Sequence, residues 1–308
     1  MAVIILSGHA AKSQIYLHDF GTTTISAHPY NVAPGTIDAN LTGSTWTNST
    51  SAWTSFAGSG GQAISLNNSG GTPTITLNLS IAPGFQASVT NFNFWRQRSN
   101  TGAQNWSMTI NGIAAGSGIV PTTGAAIGTT TVGSPVNNQT GSLVIVISLS
   151  GATGTGTFRL DDFRINGTVV PAPTISATTL TDFGPICINA VSGANTFAIT
   201  GTALTTANIT VGPLPGFTFS PTNSVFTNTV SLAQPGGAYS QTIYVRFSPL
   251  LVQSYNGNTP VGGGGAPTIN VATTGIGVNT RPSIDNGSVN SITTSSANVN
   301  ATINMTLA

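Results

Sequence analysis

Short runs of alternating apolar and polar residues, broken by Gly, Pro, Asn and Ser, fill most of the chain, and no stretch spaces its apolar residues as a helix would. Period two predicts strands. Thr74 to Ile81 puts Ile75, Leu77, Leu79 and Ile81 on one face with Thr and Asn opposite, and Pro83-Gly84 then supplies a turn, as in a half-buried antiparallel strand. QASVTNFNFWRQR, SNTGAQ and NWSMTING read as a long hairpin, with Phe92 and Phe94 on one face and Trp106, Met108 and Ile110 on another. Ser142 to Ser150 is apolar on both faces in its middle, which predicts a central strand covered on each side. In TFRLDDFRING, Phe158 and Leu160 share one parity and Phe163 and Ile165 the other, so a β-bulge at Asp161-Asp162 would keep all four inward.

VVPAPTIS, around residues 169 to 176, reads as a linker, because Pro171 and Pro173 are poor members of a central strand. Beyond it NTFAIT, ANITVG, FTFSP, FTNTVSL, QTIYVRFSP and PTINVATTG predict a second set of strands, with Ile243, Val245 and Phe247 inward. About seven short strands in about a hundred residues is the immunoglobulin-like pattern. After Val278 a further alternating segment places Ala297, Val299, Ala301, Ile303 and Met305 on one face. Two strands cannot bury such a face, so this segment is expected to be the incomplete start of a third domain and the chain a fragment.

Composition sharpens the picture. Of 308 residues, 7 are Lys or Arg and 6 are Asp, with no Glu, so 4% are charged where about 25% is usual. Acid–base and Schiff-base chemistry has few side chains to use, and a net charge of +1 gives no field for phosphate backbones. Nucleic acid is thereby excluded as a partner. Ile, Val, Thr and Phe are spread throughout, unlike in a disordered chain. No run approaches the roughly 20 apolar residues of a membrane span. MAVIILSGHAAKSQ looks like the end of a secretory signal peptide, a short apolar run followed by Ala11-Lys12-Ser13, although a basic start is missing; the alternative is a buried first strand. Cys187 is the single cysteine, so no intramolecular disulfide forms, and it reads as a small buried hydrophobe.

Two constellations carry candidate chemistry. Asp19, Asp161 and Asp162 would meet if the first and last strands of the N-terminal sandwich lie side by side, and could then surround a calcium ion. Alternatively the two bulge aspartates hydrogen-bond their own loop or pair with Arg159 or Arg164. Trp95, Arg96, Arg98 and Trp106 could form a glycan platform, a ring stacking on sugar C–H faces while Arg reaches hydroxyls, and Trp95 is out of phase with Phe92 and Phe94. Otherwise these aromatics are core or hairpin-pair residues. His18 and His28 lack a GxSxG elbow, HExxH or phosphate loop near them, so hydrolase chemistry is not expected. Gly262 to Gly265 reads as a hairpin connection.

Three stretches resemble modules of large secreted and cell-surface proteins of Bacteroidota, of the kind exported by the type IX route. IYLHDFGT, NFNFWRQRSNTGAQNWSMTING and FRLDDFRINGT resemble their jelly-roll, carbohydrate-binding-like domains. LTDFGPICINAVSGANTFAITGTALT, AQPGGAYSQTIYVRFSP and VQSYNGNTPVGGGGAPTINVATTGIGV resemble immunoglobulin-like modules of the ASH type, and SITTSSANVNATI the opening of a fibronectin type III domain. The resemblance implies an all-β chain of tandem antiparallel sandwiches: residues 1–13 a signal remnant, 14–170 a jelly roll, 171–278 immunoglobulin-like and 279–308 a truncated third module. It further implies an extracellular or outer-surface, non-enzymatic adhesin whose first sandwich binds glycan or matrix and whose later ones are spacers. The alternatives are accessory domains of an exported nuclease, phosphatase or glycosidase, and a structural stalk or filament subunit.

Overall fold

A computed structural model describes residues 13–68, 71–279, 283–290, 293–296 and 298–304. Residues 1–12 of the expected signal segment, and Ala297 and Met305, lie outside these residues, and Ser13 opens a strand. The chain divides into two compact units, residues 1–172 and 173–308, and the described residues contain no helix.

The strands of the first unit are β1 (Ser13–His18), β2 (Thr36–Ile37), β3 (Leu41–Asn48), β4 (Thr54–Ala57), β5 (Gln62–Asn68), β6 (Thr74–Ile81), β7 (Phe85–Arg98), β8 (Asn105–Ile110), β9 (Ile113–Ile119), β10 (Ala125–Ala126), β11 (Thr130–Gln139), β12 (Ser142–Ser150) and β13 (Gly156–Pro171). One sheet has eight strands in the order β10-β7-β13-β1-β2, with β11 also on β7, β5 also on β13, and β4 on β5; the other runs β3-β6-β12-β8-β9. Between them lies one core in which Trp46, Phe92, Phe94, Phe158 and Phe163 are buried. Trp46 meets Phe163 edge-on at 5.1 Å, and Phe94 meets Trp106 edge-on at 5.0 Å.

The predicted hairpin of residues 86–112 does not form. β7 pairs with β13, β11 and β10, whereas β8 pairs with β12 and β9 in the opposite sheet. Residues 99–104 cross between sheets, because facing Phe92 and Phe94 against Trp106 across the sandwich buries both aromatic surfaces at once, which a hairpin would leave side by side. β12 is central between β6 and β8, but only Leu143, Ile145, Ile147 and Leu149 are buried, and Val144 and Val146 are half-buried on the other face. The expected bulge is present: the β13–β7 register shifts between Asp161 and Arg164, Asp162 has φ +50°, and Phe158, Leu160, Phe163 and Ile165 are all buried. The linker is shorter than predicted. Val169 to Pro171 still pair with Ala87 to Phe85, so β13 runs on through Pro171.

The second unit holds β14 (Thr174–Ala177), β15 (Pro185–Cys187), β16 (Asn195–Leu204), β17 (Ile209–Val211), β18 (Phe217–Ser220), β19 (Val230–Leu232), β20 (Gly237–Phe247), β21 (Ser254–Gly263), β22 (Ala266–Val278), β23 (Ser283–Asn290) and β24 (Asn298–Asn304). Two sheets, β14-β16-β20-β18 and β15-β22-β21-β17-β19, enclose a core containing Phe197, Phe217, Phe219 and Phe247. The chain entering the unit contributes to both sheets, β14 pairing antiparallel with β16 and β15 parallel with β22. Ile243, Val245 and Phe247 are buried as expected, and Cys187 is half-buried in β15. Gly263 to Gly265 carry the β21–β22 connection, all three with positive φ. β23 and β24 pair antiparallel.

Candidate functional site

One edge of β13 is shared by two partners in line. β5 pairs with Gly156–Leu160 and β1 with Phe163–Gly167, so the Asp161-Asp162 bulge falls where the partner changes. The turn after β4 and the chain leaving β1 meet there, with Gln62 N–H donating to the Gly21 carbonyl at 2.8 Å. Asp19, Asp161 and Asp162, together with Gly21, Thr22, Gly60 and Gly61, line a cavity of about 170 Å³.

The three aspartates line one cavity, as the strand order predicted, but the Asp161 oxygens and one oxygen of Asp19 accept from backbone amides. Asp161, 1% exposed, accepts from Ser59 N–H at 2.7 Å, from Asp162 N–H at 2.8 Å and from Gly60 N–H, and Asp19 accepts from Gly21 N–H at 3.2 Å. N–H donors aimed at a carboxylate repel a cation. Among the described residues no three His, Cys, Asp or Glu side chains are grouped to hold a metal ion. The donor set therefore does not fit calcium, and the hydrogen-bonded loop, the other reading of these residues, describes it. Burial pushes the Asp161 carboxyl up to about 6, against the N–H bonds that pull it down.

His18 is also buried and fully engaged: Nδ1 accepts from Phe20 N–H at 2.9 Å, so Nε2 carries the proton and donates to the Val32 carbonyl at 3.1 Å. Burial lowers its pKa, against the Val32 carbonyl bond and the Asp19 carboxylate, which raise it. No nucleophile stands within these contacts.

The four-residue platform does not assemble. Trp106 is 4% exposed in the core, on the sheet opposite Trp95, since its parity follows Met108 and Ile110. Arg96 and Arg98 share the inward parity of Phe94 and staple the chain after β9. Arg96 donates to the Ile119 and Ala125 carbonyls at 3.2 and 2.8 Å, and Arg98 to those of Val120 and Asn100 at 2.8 and 2.7 Å. Only Trp95 takes the outward parity, half-buried against Gly124, where a Cβ would lie 2.0 Å from its ring.

In place of the expected partners, the β7–β13 register sets a polar row on the outer face. Asp161 lies opposite Trp95, Arg164 opposite Asn93, and Asn166 opposite Asn91. Asn166 donates to Asn91 Oδ1 at 2.6 Å, Asn93 Oδ1 is a buried acceptor with no protein donor, and Arg164 is exposed. The face thus presents an outward aromatic ring and an exposed guanidinium on adjacent strands, while the Asn93 oxygen between them is shut off from solvent. Alternation in NFNFW already put Asn91 and Asn93 outward; Arg164 was hidden because its neighbours depend on the bulge.

A second concavity of about 660 Å³ in the other unit is lined by apolar residues including Pro213, Leu214, Phe217, Leu250 and Tyr255, with no charged group.

The fold and this face define a tandem β-sandwich protein with a polar sheet surface on its first module. No protein-family model matches the chain, and no curated protein does. Solved structures with similarity include a glycosyl hydrolase family 2 member from Bacteroides cellulosilyticus (12% identity, 70% of this chain and 30% of that one, TM-score 0.20). A putative beta-galactosidase from Bacteroides fragilis (13%, 77% and 36%, 0.20) and a beta-glucuronidase from Parabacteroides merdae (12%, 72% and 29%, 0.18) are others. The chain spans about a third of the length of these structures, and at such TM-scores the likeness carries no argument about activity.

Proposed function

We propose that this chain is a non-catalytic region of a secreted or cell-surface protein, in which the first sandwich binds a saccharide on the outer face of β7 and β13 and the second is a spacer. The observation that carries the reading is the pair Trp95 and Arg164, an outward ring and an exposed guanidinium on the adjacent strands β7 and β13. The buried titratable groups His18 and Asp161 support the non-catalytic part, since backbone partners occupy them. Glycan-array screening of the full chain, followed by calorimetry on the best saccharide, tests it. Trp95→Ala and Arg164→Ala should each weaken binding at least about tenfold, equivalent to about 1.4 kcal/mol, with no sugar released on prolonged incubation. Equal binding by both variants, or no saccharide bound by the unmodified chain, refutes the platform.

A further inference from the structure

We propose that the turn at residues 58–61 is a pH-responsive latch on the outer face of the first sandwich, seated tightly in mild acid and opening more readily above neutrality. The turn joins β4 to β5, and β4 pairs with no strand but β5 among the described residues, so this hairpin lies at the sheet edge. Its tip folds over Asp161, an outward-parity residue that is nevertheless 1% exposed. Ser59 is itself exposed, and the bond from its N–H to Asp161 Oδ2 at 2.7 Å holds the tip down together with that from Gly60. The approach is close enough that a Cβ on Gly58 would stand 2.1 Å from Asp161 Oδ2.

The charged form of Asp161 gains nothing from its surroundings except these amides. Asp19 at the end of β1 and Asp162 in the bulge line the same cavity and are of like sign. Trp95, its partner on β7, is uncharged, and the turn 58–61 contains no titratable side chain. Arg159 is turned to the Ala57 carbonyl and Gln97 Oε1, and Arg164 lies beyond the bulge on the solvent side. Opening the tip would admit water to the carboxylate, and the adjoining cavity already provides the path.

The direction follows from linkage. In the closed state burial raises the carboxyl to about 6, while a hydrated Asp161 would titrate at its ordinary value, 3.8. The closed state therefore binds the proton more tightly, so closure strengthens as pH falls from about 6 towards 4 and is weakest above 6. A separation of about two units corresponds to up to about a 100-fold change in the opening equilibrium.

Amide hydrogen exchange of the full chain from pH 4.5 to 8, corrected for intrinsic base catalysis, reads this at Ser59 and Gly60. Protection in the unmodified chain should fall by up to about 100-fold with rising pH, and Asp161→Asn should show no such slope. Protection that is flat or rises with pH, or a slope retained by Asp161→Asn, overturns the latch. If that variant does not fold, the carboxyl carbon shift of Asp161 in the unmodified chain decides: a midpoint near 6 supports the latch, one below 4.5 overturns it. Neither measurement needs a saccharide, so the latch and the binding face fail independently.

Discussion

Deleting Asp162 tests the bulge on which the first sandwich depends. With one residue fewer, either Phe163 and Ile165 turn to the outer face and Arg164 into the core, or residues 163–171 slide against both β1 and β7. Phe163 and Ile165 are fully buried, and Phe163 packs on Trp46 at 5.1 Å and Phe94 at 6.0 Å. Exposing both forfeits about 1.5–3 kcal/mol each, so about 3–6 kcal/mol in all before any cost of burying Arg164. For a unit of this size that is a fall of roughly 6–24 °C in Tm. Tryptophan fluorescence is the suitable probe, because Trp46, Trp53, Trp95 and Trp106 all lie in the first unit and report its unfolding alone. Asp162→Gly is the control. It keeps the residue count and suits φ +50°, so its Tm should stay within about 4 °C, the strain relieved offsetting the backbone freedom added. A deletion variant melting within about 2 °C of the unmodified chain would refute the assignment of the bulge.

Three further outcomes follow. Trp106→Ala should cost about 3–5 kcal/mol in the same melting assay, as befits a core ring in contact with Phe92 and Phe94 rather than a ligand platform. Millimolar calcium, or EDTA, should leave the fluorescence Tm unchanged, since the Asp161 oxygens already accept N–H groups; a calcium-dependent rise would show that the loop rearranges around the ion. Gly275→Ala should destabilise the second sandwich by about 1–3 kcal/mol in far-UV circular dichroism, because the new Cβ would stand 2.7 Å from the Phe247 ring.

What could be read from residues alone was whatever the period of two fixes locally. Strand faces, the bulge and the convergence of Asp19 with Asp161 and Asp162 all follow from parity and from the adjacency of first and last strands. Partner choice does not. The six residues SNTGAQ suit a hairpin loop and a crossing between sheets equally well, and only burial of both aromatic faces decides for the crossing. β21 carries little strand signal because Asn, Gly and Pro dominate it, yet its Thr259 and Val261 are buried, and Thr259 meets Thr273 at 2.8 Å across the strand pair. The outer-face row was illegible for the same reason as the crossing: Arg164 and Asn93 become neighbours only through the β7–β13 register.

The scarcity of charge bears directly on that row. With so few carboxylates available, Arg96 and Arg98 donate to backbone carbonyls, Arg159 donates to Gln97 Oε1 and the Ala57 carbonyl, and hydroxyl pairs such as Thr174–Thr202 and Ser176–Thr200 link neighbouring strands at 2.8 and 2.7 Å. Arg96 and Arg98 thus fasten loops. Arg164 departs from that use: it is exposed, on a central strand rather than beside a loop, and stands across from an amide oxygen that no protein donor reaches. A cation spent in that way on a surface so poor in charge stabilises little by itself, since exposed charges contribute at most about 1 kcal/mol even when paired. The proposed saccharide face gives it a use beside the outward ring of Trp95, and an Arg164→Ala variant with full saccharide affinity would leave that exposed cation without one.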